Sequence, residues 1–255
     1  MLVQIDYNLI FTAPFHVGTG ISTYALDRTV VRDTQKNLYI PGSTFKGVVR
    51  EQCEQLLRLY RPLQTLASPH NAQAVLSTFG QAPNLITRIF GSQLSPGGLR
   101  FDDSRQESSV HPKQTLQTSV LTQVRIDRLS GTGADNALFT SEFGNPLLTF
   151  HGMIKGQLDC TPLADLAFQA KDLQEGVYTL TPTYSLLLLL AGLLMVERIG
   201  SNKSSGKGAC TCIITHVYLD RCTCREEEAQ GEGWRAWLAH LDRLSSYSPE
   251  ESKKQ

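Results

Sequence analysis

The chain has no net charge to speak of: 24 Lys and Arg offset 24 Asp and Glu over 255 residues, so no global field can hold a polyanion. Any such partner must rest on local patches. Long apolar runs are missing as well. Tyr184–Val196, which contains Leu186–Leu190, falls short of the roughly 20 residues that a membrane span needs, and a buried helix is expected there. Met1–Asp6 alternates like a strand and lacks the basic start and apolar run of a secretory leader, which makes the cytoplasm the expected location.

Several catalytic signatures are lacking too. Gly200–Lys207 has five residues between its glycines where a P-loop has four, and Gly208 follows Lys207 where Ser or Thr would stand. Gly18-Thr19-Gly20 has no third glycine, since Thr23 occupies that place in a dinucleotide fingerprint. No Gly-x-Ser-x-Gly elbow occurs, and the six histidines form no i, i+4 metal pair. A small-molecule enzyme is disfavoured by these absences. Cysteine is sparse: Cys53, Cys160, Cys210, Cys212, Cys222 and Cys224. The two C-x-C pairs do not have the two-to-four-residue spacing of structural zinc sites, and reduced thiols are the expectation.

What is present describes a folded globular chain, with 41% hydrophobic and 19% charged residues. Acidic residues gather late, at Glu226–Glu228 and Glu250–Glu251, whereas basic ones concentrate at 28–61 and 198–207. Val3, Ile5, Tyr7, Leu9 and Phe11 alternate with polar residues and predict a strand. Phe45, Val48, Val49, Cys53, Leu56, Leu57 and Tyr60 have helical spacing. Four prolines, Pro62, Pro69, Pro83 and Pro96, predict an irregular, lid-like insertion over 61–98.

Strands follow at Leu99–Phe101 and Val120–Ile126, and a polar tip from Asp127 to Asn136 predicts an extended hairpin. Leu148, Phe150, Ile154 and Leu158 alternate again. A helix is expected within 161–176, then the apolar helix up to Ile199, a strand over 209–219 and an amphipathic helix over 232–247. Strands separated by helices, with an inserted hairpin, indicate an α+β fold.

Gly42-Ser43-Thr44-Phe45-Lys46-Gly47-Val48-Val49-Arg50 is the most informative stretch. It joins a Pro41-Gly42 turn to a helix start with two cations and no carboxylate, and Ser43 suits the N-cap. Free N–H groups and the helix dipole favour an anion at such a terminus. Lys46 and Arg50 share one face, where their repulsion is relieved by a polyanion. A second glycine-rich loop, Gly200–Gly208, offers Ser201, Lys203 and Lys207.

Taken in order, His16-Val17-Gly18-Thr19-Gly20, Ala25-Leu26-Asp27 to Arg32-Asp33, Ile40–Gly47, Ile89-Phe90-Gly91, Arg125–Arg128 and the late glycine loop resemble the backbone subunits of type III CRISPR effector complexes. Those belong to a repeat-associated RNA-binding superfamily with an RRM-like (ferredoxin-like) core. The resemblance implies one domain: a palm of 1–60, 99–126 and 144–220, the 61–98 insertion, and a thumb hairpin over 127–143. It implies a ribonucleoprotein of antiviral defence whose partners are guide RNA (crRNA), target RNA, other backbone subunits and a large subunit.

RNA contacts are implied at Gly18, Gly42, Ser43, Lys46, Arg50, Arg125, Arg128, Ser201, Lys203 and Lys207. Asp27 matches the aspartate that slicing members use for metal-dependent cleavage of target RNA, with Mg2+ or another divalent cation as cofactor. A lone carboxylate on a phosphate-gripping surface fits that role, because a cation reverses its sign. Arg28-Thr29 departs from the small residue, often proline, of many members. An inactive scaffold paralogue is therefore one alternative. A metal-independent guide-processing ribonuclease with His16 as general base is another. Asp33 is read as structural.

Overall fold

A computed structural model of the chain describes residues 1–24, 26–62, 83–106, 117–158, 162–163, 168–171, 177–219, 222–224 and 234–247. Its centre is the strand that the alternation predicts, β1 (Leu2–Phe11). Val3, Ile5, Tyr7, Leu9 and Phe11 are buried, and the residues between them line the opposite face of the sheet. The next elements are β2 (Tyr39–Ile40), α1 (Gly42–Tyr60), α2 (Leu85–Phe90), β3 (Leu99–Phe101) and β4 (Ser104–Gln106). A hairpin, β5 (Thr118–Ile126) and β6 (Gly133–Gly144), precedes β7 (Thr149–Gln157), β8 (Phe168–Lys171) and β9 (Val177–Leu180). The chain continues through α3 (Tyr184–Leu194), β10 (Cys210–Leu219), β11 (Cys222–Cys224) and α4 (Trp234–Trp237), which runs into a 3-10 segment over Leu238–Ser246.

The main sheet is antiparallel, in the order β11-β10-β1-β7-β4-β2, with β3 also on β7. Reduced to its core, the chain runs strand β1, helix α1, the broken strand β3–β4, strand β7, helix α3, strand β10. The last strand lies beside the first, and the third lies on its other side. That is the ferredoxin-like order expected for an RRM-like palm. One face of the sheet is covered: Tyr7 stacks on Phe45 of α1 at 4.5 Å, and every residue from Ser185 to Leu193 of α3 is buried. Helix α3 needs no polar face, because α1, α2, β10 and the C-terminal segment surround it. The other face of the sheet has no helix upon it among the described residues.

Several expectations change in detail. The hairpin is longer than 127–143: pairing begins at Thr118 opposite Gly144, so Thr118–Ile126 belongs to the hairpin and not to the palm sheet. Ile89-Phe90-Gly91 is not lid. Asn84 accepts the Thr87 N–H at 2.9 Å and starts α2, whose Leu85, Ile86, Ile89 and Phe90 enter the core. Residues 63–82 of the expected insertion lie outside the described residues.

Phe168–Lys171 of the expected 161–176 helix is a strand, paired with β9. The apolar helix ends at Leu194, five residues before Ile199. At the C-terminus the amphipathic stretch is helical but mostly 3-10 with a break at His240, and Trp234, Trp237, Leu244 and Tyr247 are buried. The C-x-C pairs do not converge: Cys222 and Cys224 face Leu219 and Val217, while Cys210 and Cys212 face Phe11 and Leu9. Burial pushes the Cys210 thiol up to about 12 and raises Cys53 and Cys212 further, so these thiols stay protonated at neutral pH.

Candidate nucleic-acid interface

Two glycine loops, far apart in sequence, are stitched together. The Ser201 N–H donates to the His16 carbonyl at 2.9 Å, and the Gly208 N–H donates to the Pro14 carbonyl at 2.8 Å. Gly200 has φ +97°, and a Cβ there would lie 2.4 Å from the His16 carbonyl oxygen, so the contact requires glycine. The early loop in turn docks on the hairpin: Phe15 pairs with Gly144, and Gly18 bridges Val30. Segment 27–30 lies along β6, with the Glu142 N–H donating to the Arg28 carbonyl at 3.0 Å.

Asp27 stands where the loop meets the hairpin. Its N–H donates to the Thr140 carbonyl at 3.0 Å, and its Oδ2 accepts the Thr140 N–H at 2.7 Å. The side chain is exposed, and among the described residues it makes no ion pair. The nearby cations are otherwise engaged: Arg28 lies over the Phe139 ring at 5.1 Å, and Arg32 pairs with Glu142 at 2.6 Å. Burial raises the Glu142 pKa, but hydrogen bonds from Arg32, the Val30 N–H and Thr118 outweigh it and hold the carboxyl below its ordinary range. This network fixes the base of the hairpin under Asp27.

His16 is buried, and its Nδ1 donates to the Glu142 carbonyl oxygen at 2.7 Å, the only polarity a carbonyl permits. Its Nε2 lies under Gly18, 2.7 Å from where a Cβ would sit. A general base must reach its proton. His16 is shut away from solvent and forms the floor of the loop, which disfavours the alternative of His16 as general base.

Helix α1 begins two residues earlier than the Ser43 cap predicts. Pro41 holds the N-cap position with no side-chain cap, and the Gly42 N–H is taken by Asp103 Oδ1 at 2.9 Å. Gly42 is buried at the edge of a cleft, and a Cβ there would lie 2.1 Å from the Phe101 carbonyl oxygen, so close approach to β3 requires glycine. Ser43 is exposed, and its N–H and that of Thr44 have no intrahelical acceptor. Arg50 is not offered to solvent: its Nε donates to Glu54 at 2.8 Å and its NH1 to the Gly91 carbonyl at 3.1 Å, which clamps α2 to α1.

Lys46 points over the Phe101 ring at 6.0 Å, and its pKa is lowered by burial first and by Arg50 second. No ion pair reaches it among the described residues. Lys207 lies over Phe143 at 5.4 Å, beside the hairpin base, and Lys203 reaches Glu51 at 3.7 Å. Lys46 lines the cleft at the start of α1, and Lys207 is not among the residues lining it. At about 100° per residue, exposed Ser43, Gly47 and Glu51 form a stripe on α1 between the Lys46 flank and the Lys203 flank. The two lysine-bearing turns border that stripe, and Gly47 leaves open space at its middle. Arg125 and Arg128 are exposed at the far end of the hairpin, where the pairing shifts between Val124 and Ile126.

Sequence reasoning missed Arg100 and Lys155. Both line a cleft with Ser43, Lys46, Gly97 and Gly98, and only the β3–β7 register brings them together. Asp102 pairs with both, at 2.7 and 3.5 Å, and its carboxyl is held below the usual range by the Arg100 hydrogen bond above all.

A profile of the RAMP superfamily matches residues 8–211, and the chain belongs to that family. The match takes in both glycine loops, Asp27, α1 and the hairpin. No curated protein matches with significance. Among solved structures, one similar chain comes from the cryo-EM structure of the type III-B Cmr-beta bound to cognate target RNA. It is 11% identical, and the match covers 83% of this chain and 96% of that one with a TM-score of 0.48. Among the described residues, no helix is long and apolar enough to cross a membrane.

Proposed function

We propose that this chain is a guide-RNA-binding backbone subunit of a type III CRISPR ribonucleoprotein and that it cleaves base-paired target RNA at Asp27. Its partners on this reading are guide RNA, target RNA, neighbouring backbone subunits and the large subunit. Membership of the RAMP superfamily supports RNA as the ligand class. The chemistry of the surface agrees, because exposed hydroxyls, N–H groups and cations grip sugar and phosphate without reading bases. Base pairing with the guide would supply sequence selection.

One observation carries the cleavage reading: an exposed carboxylate without an ion pair, fixed by Thr140 at the root of the hairpin. Asp27 Oδ1 is the group that would hold a divalent cation. The donor set fits Mg2+, which commonly takes one or two carboxylates and fills its remaining positions with substrate phosphate oxygens and water. Such a cation, when bound, would offset charge on the scissile phosphate during attack by the adjacent ribose 2′-hydroxyl. In that step the 2′-hydroxyl would lose its proton to water as its oxygen bonds to phosphorus, the bond to the 5′-oxygen would break, and that oxygen would take a proton from water, leaving a 2′,3′-cyclic phosphate and a 5′-hydroxyl. Only RNA carries that hydroxyl. Asp27 has its rotamer set by the Thr140 hydrogen bond, and the Arg32–Glu142 pair keeps the hairpin root from drifting.

The Thr140 bond also favours a second reading, in which Asp27 only ties the loop to the hairpin and the chain is an inactive scaffold. Asp27→Asn separates the two, since the amide oxygen can still accept the Thr140 N–H. In the assembled complex with Mg2+, the slicer reading expects loss of target cutting with target binding retained. Undiminished cutting assigns the chemistry elsewhere.

A further inference from the structure

We infer that a second single-stranded RNA track crosses the sheet from β3 to β10, with Arg100 and Lys155 gripping phosphate and Tyr218 stacking a base. This rests on the RNA-binding reading above and adds a surface apart from Asp27. Register defines it. Arg100 on β3 faces Lys155 on β7, Lys155 faces Gln4 on β1, and Gln4 faces Tyr218 on β10. Directly opposed residues project from the same side of a sheet, so these four form one row on the face without helices. Three strand spacings of about 4.8 Å put Arg100 and Tyr218 roughly 14 Å apart.

The surface is continuous along that row. The cleft at the start of α1 and a neighbouring cleft lined by Gln4 and Tyr218 share Lys155 and Gly156. The charge is unbalanced: Arg100 and Lys155 are like charges directly opposite, an arrangement that costs stability by itself. Among the described residues Asp102 sits between them and Asp6 accepts from Gln4 Nε2 at 3.1 Å, while Lys46 at the head of the same cleft adds a third cation without an ion pair. Arg100 and Lys155 side chains remain 68% and 43% exposed, so both can turn to a ligand. At the far end, Tyr218 stacks with His216 at 5.9 Å and 18°, giving two near-parallel rings on the open face. Cations leading to an aromatic platform is the arrangement that binds single strands, phosphate on one part and base on the other. An acidic peptide would use the cations but has no need of the rings.

The test uses the full chain, a fluorescein-labelled oligouridine and fluorescence anisotropy over a KCl series. In the Arg100→Gln, Lys155→Gln double variant, the slope of log K against log salt is expected to shrink by about 1.4, the value for two lost single-strand phosphate contacts. Tyr218→Ala is expected to weaken binding about tenfold with the slope unchanged. Irradiating the complex with 5-iodouridine in the probe should crosslink the peptide that contains Tyr218. Wild-type affinity and slope in these variants, while Lys203→Gln, Lys207→Gln weakens binding, would overturn the track and leave the RNA-binding reading intact. No oligouridine binding by the wild-type chain would overturn both. Displacement of the probe by polyglutamate at equal charge concentration would assign the row to an acidic protein and also overturn it.

Discussion

Asp27 and Thr140, 113 residues apart, exchange two hydrogen bonds: the Asp27 N–H donates to the Thr140 carbonyl at 3.0 Å, and the Thr140 N–H donates to Asp27 Oδ2 at 2.7 Å. The pair welds the loop after the first glycine turn to the root of the hairpin.

Removing the carboxylate has a structural cost that depends on the replacement. Asp27→Ala leaves the Thr140 N–H without its side-chain acceptor and is expected to lower stability by about 0.5–1.5 kcal/mol. Asp27→Asn is expected to stay close to wild type. Chemical denaturation of the isolated chain checks this, and equal stability of the two variants would show that the bond contributes nothing.

The hairpin root should weaken in acid. Glu142 has a folded pKa below its unfolded value, so its contribution is complete above the unfolded pKa of about 4.3 and is lost as pH falls through the folded one. Thermal melting from about pH 6 down to pH 3 is expected to show a decline that Glu142→Gln flattens. Arg32→Ala, which leaves a buried carboxylate without its ion pair, is expected to cost roughly 1–3 kcal/mol at pH 7. A melting temperature equally acid-sensitive in Glu142→Gln would place the effect on other carboxylates.

Gly42 is held by backbone contact. A methyl group there would lie 2.1 Å from the Phe101 carbonyl oxygen, which belongs to main chain that cannot swing aside. Gly42→Ala is expected to destabilise by about 1–3 kcal/mol, while Gly47→Ala, with open space around it and a helical position, is expected to be neutral or slightly stabilising. Denaturant midpoints of the two variants give the comparison. A neutral Gly42→Ala would mean that α1 starts farther from β3 than described.

Lys203 and Lys207 border the exposed stripe of α1 from the late glycine loop. Replacing both with Gln is expected to reduce the salt slope of RNA binding by about 1.4, and to leave melting close to wild type because the Lys203–Glu51 pair is exposed. An unchanged slope would remove this loop from the grip.

Much of the scaffold was legible from residue pattern. The alternation from Val3 to Phe11 and the spacing from Phe45 to Tyr60 are local signatures, and β1 and α1 carry them with the buried faces expected. The site was legible only where one segment holds the information. That Asp103 would claim the Gly42 N–H, or that Arg50 would clamp the Gly91 carbonyl 41 residues away, depends on tertiary placement that no spacing encodes. The same holds for Arg100 and Lys155, which meet through strand register. The hairpin's length is not legible in the sequence, because Val120–Ile126 alternates as well for a palm strand as for a thumb strand, and only its partner decides. Where the two C-x-C pairs lie relative to each other is likewise a matter of register, which places Cys210 and Cys212 at one end of β10 and pairs Cys222 and Cys224 of β11 with its other end.

The central claim is that the stitched glycine loops and α1 hold a guide RNA. It is tested most directly by purifying the tagged chain from its native host under low salt and sequencing the RNA that comes with it. Short RNAs that share one constant repeat-derived end are the predicted result. Protein free of nucleic acid, or carrying only random cellular fragments, would contradict it.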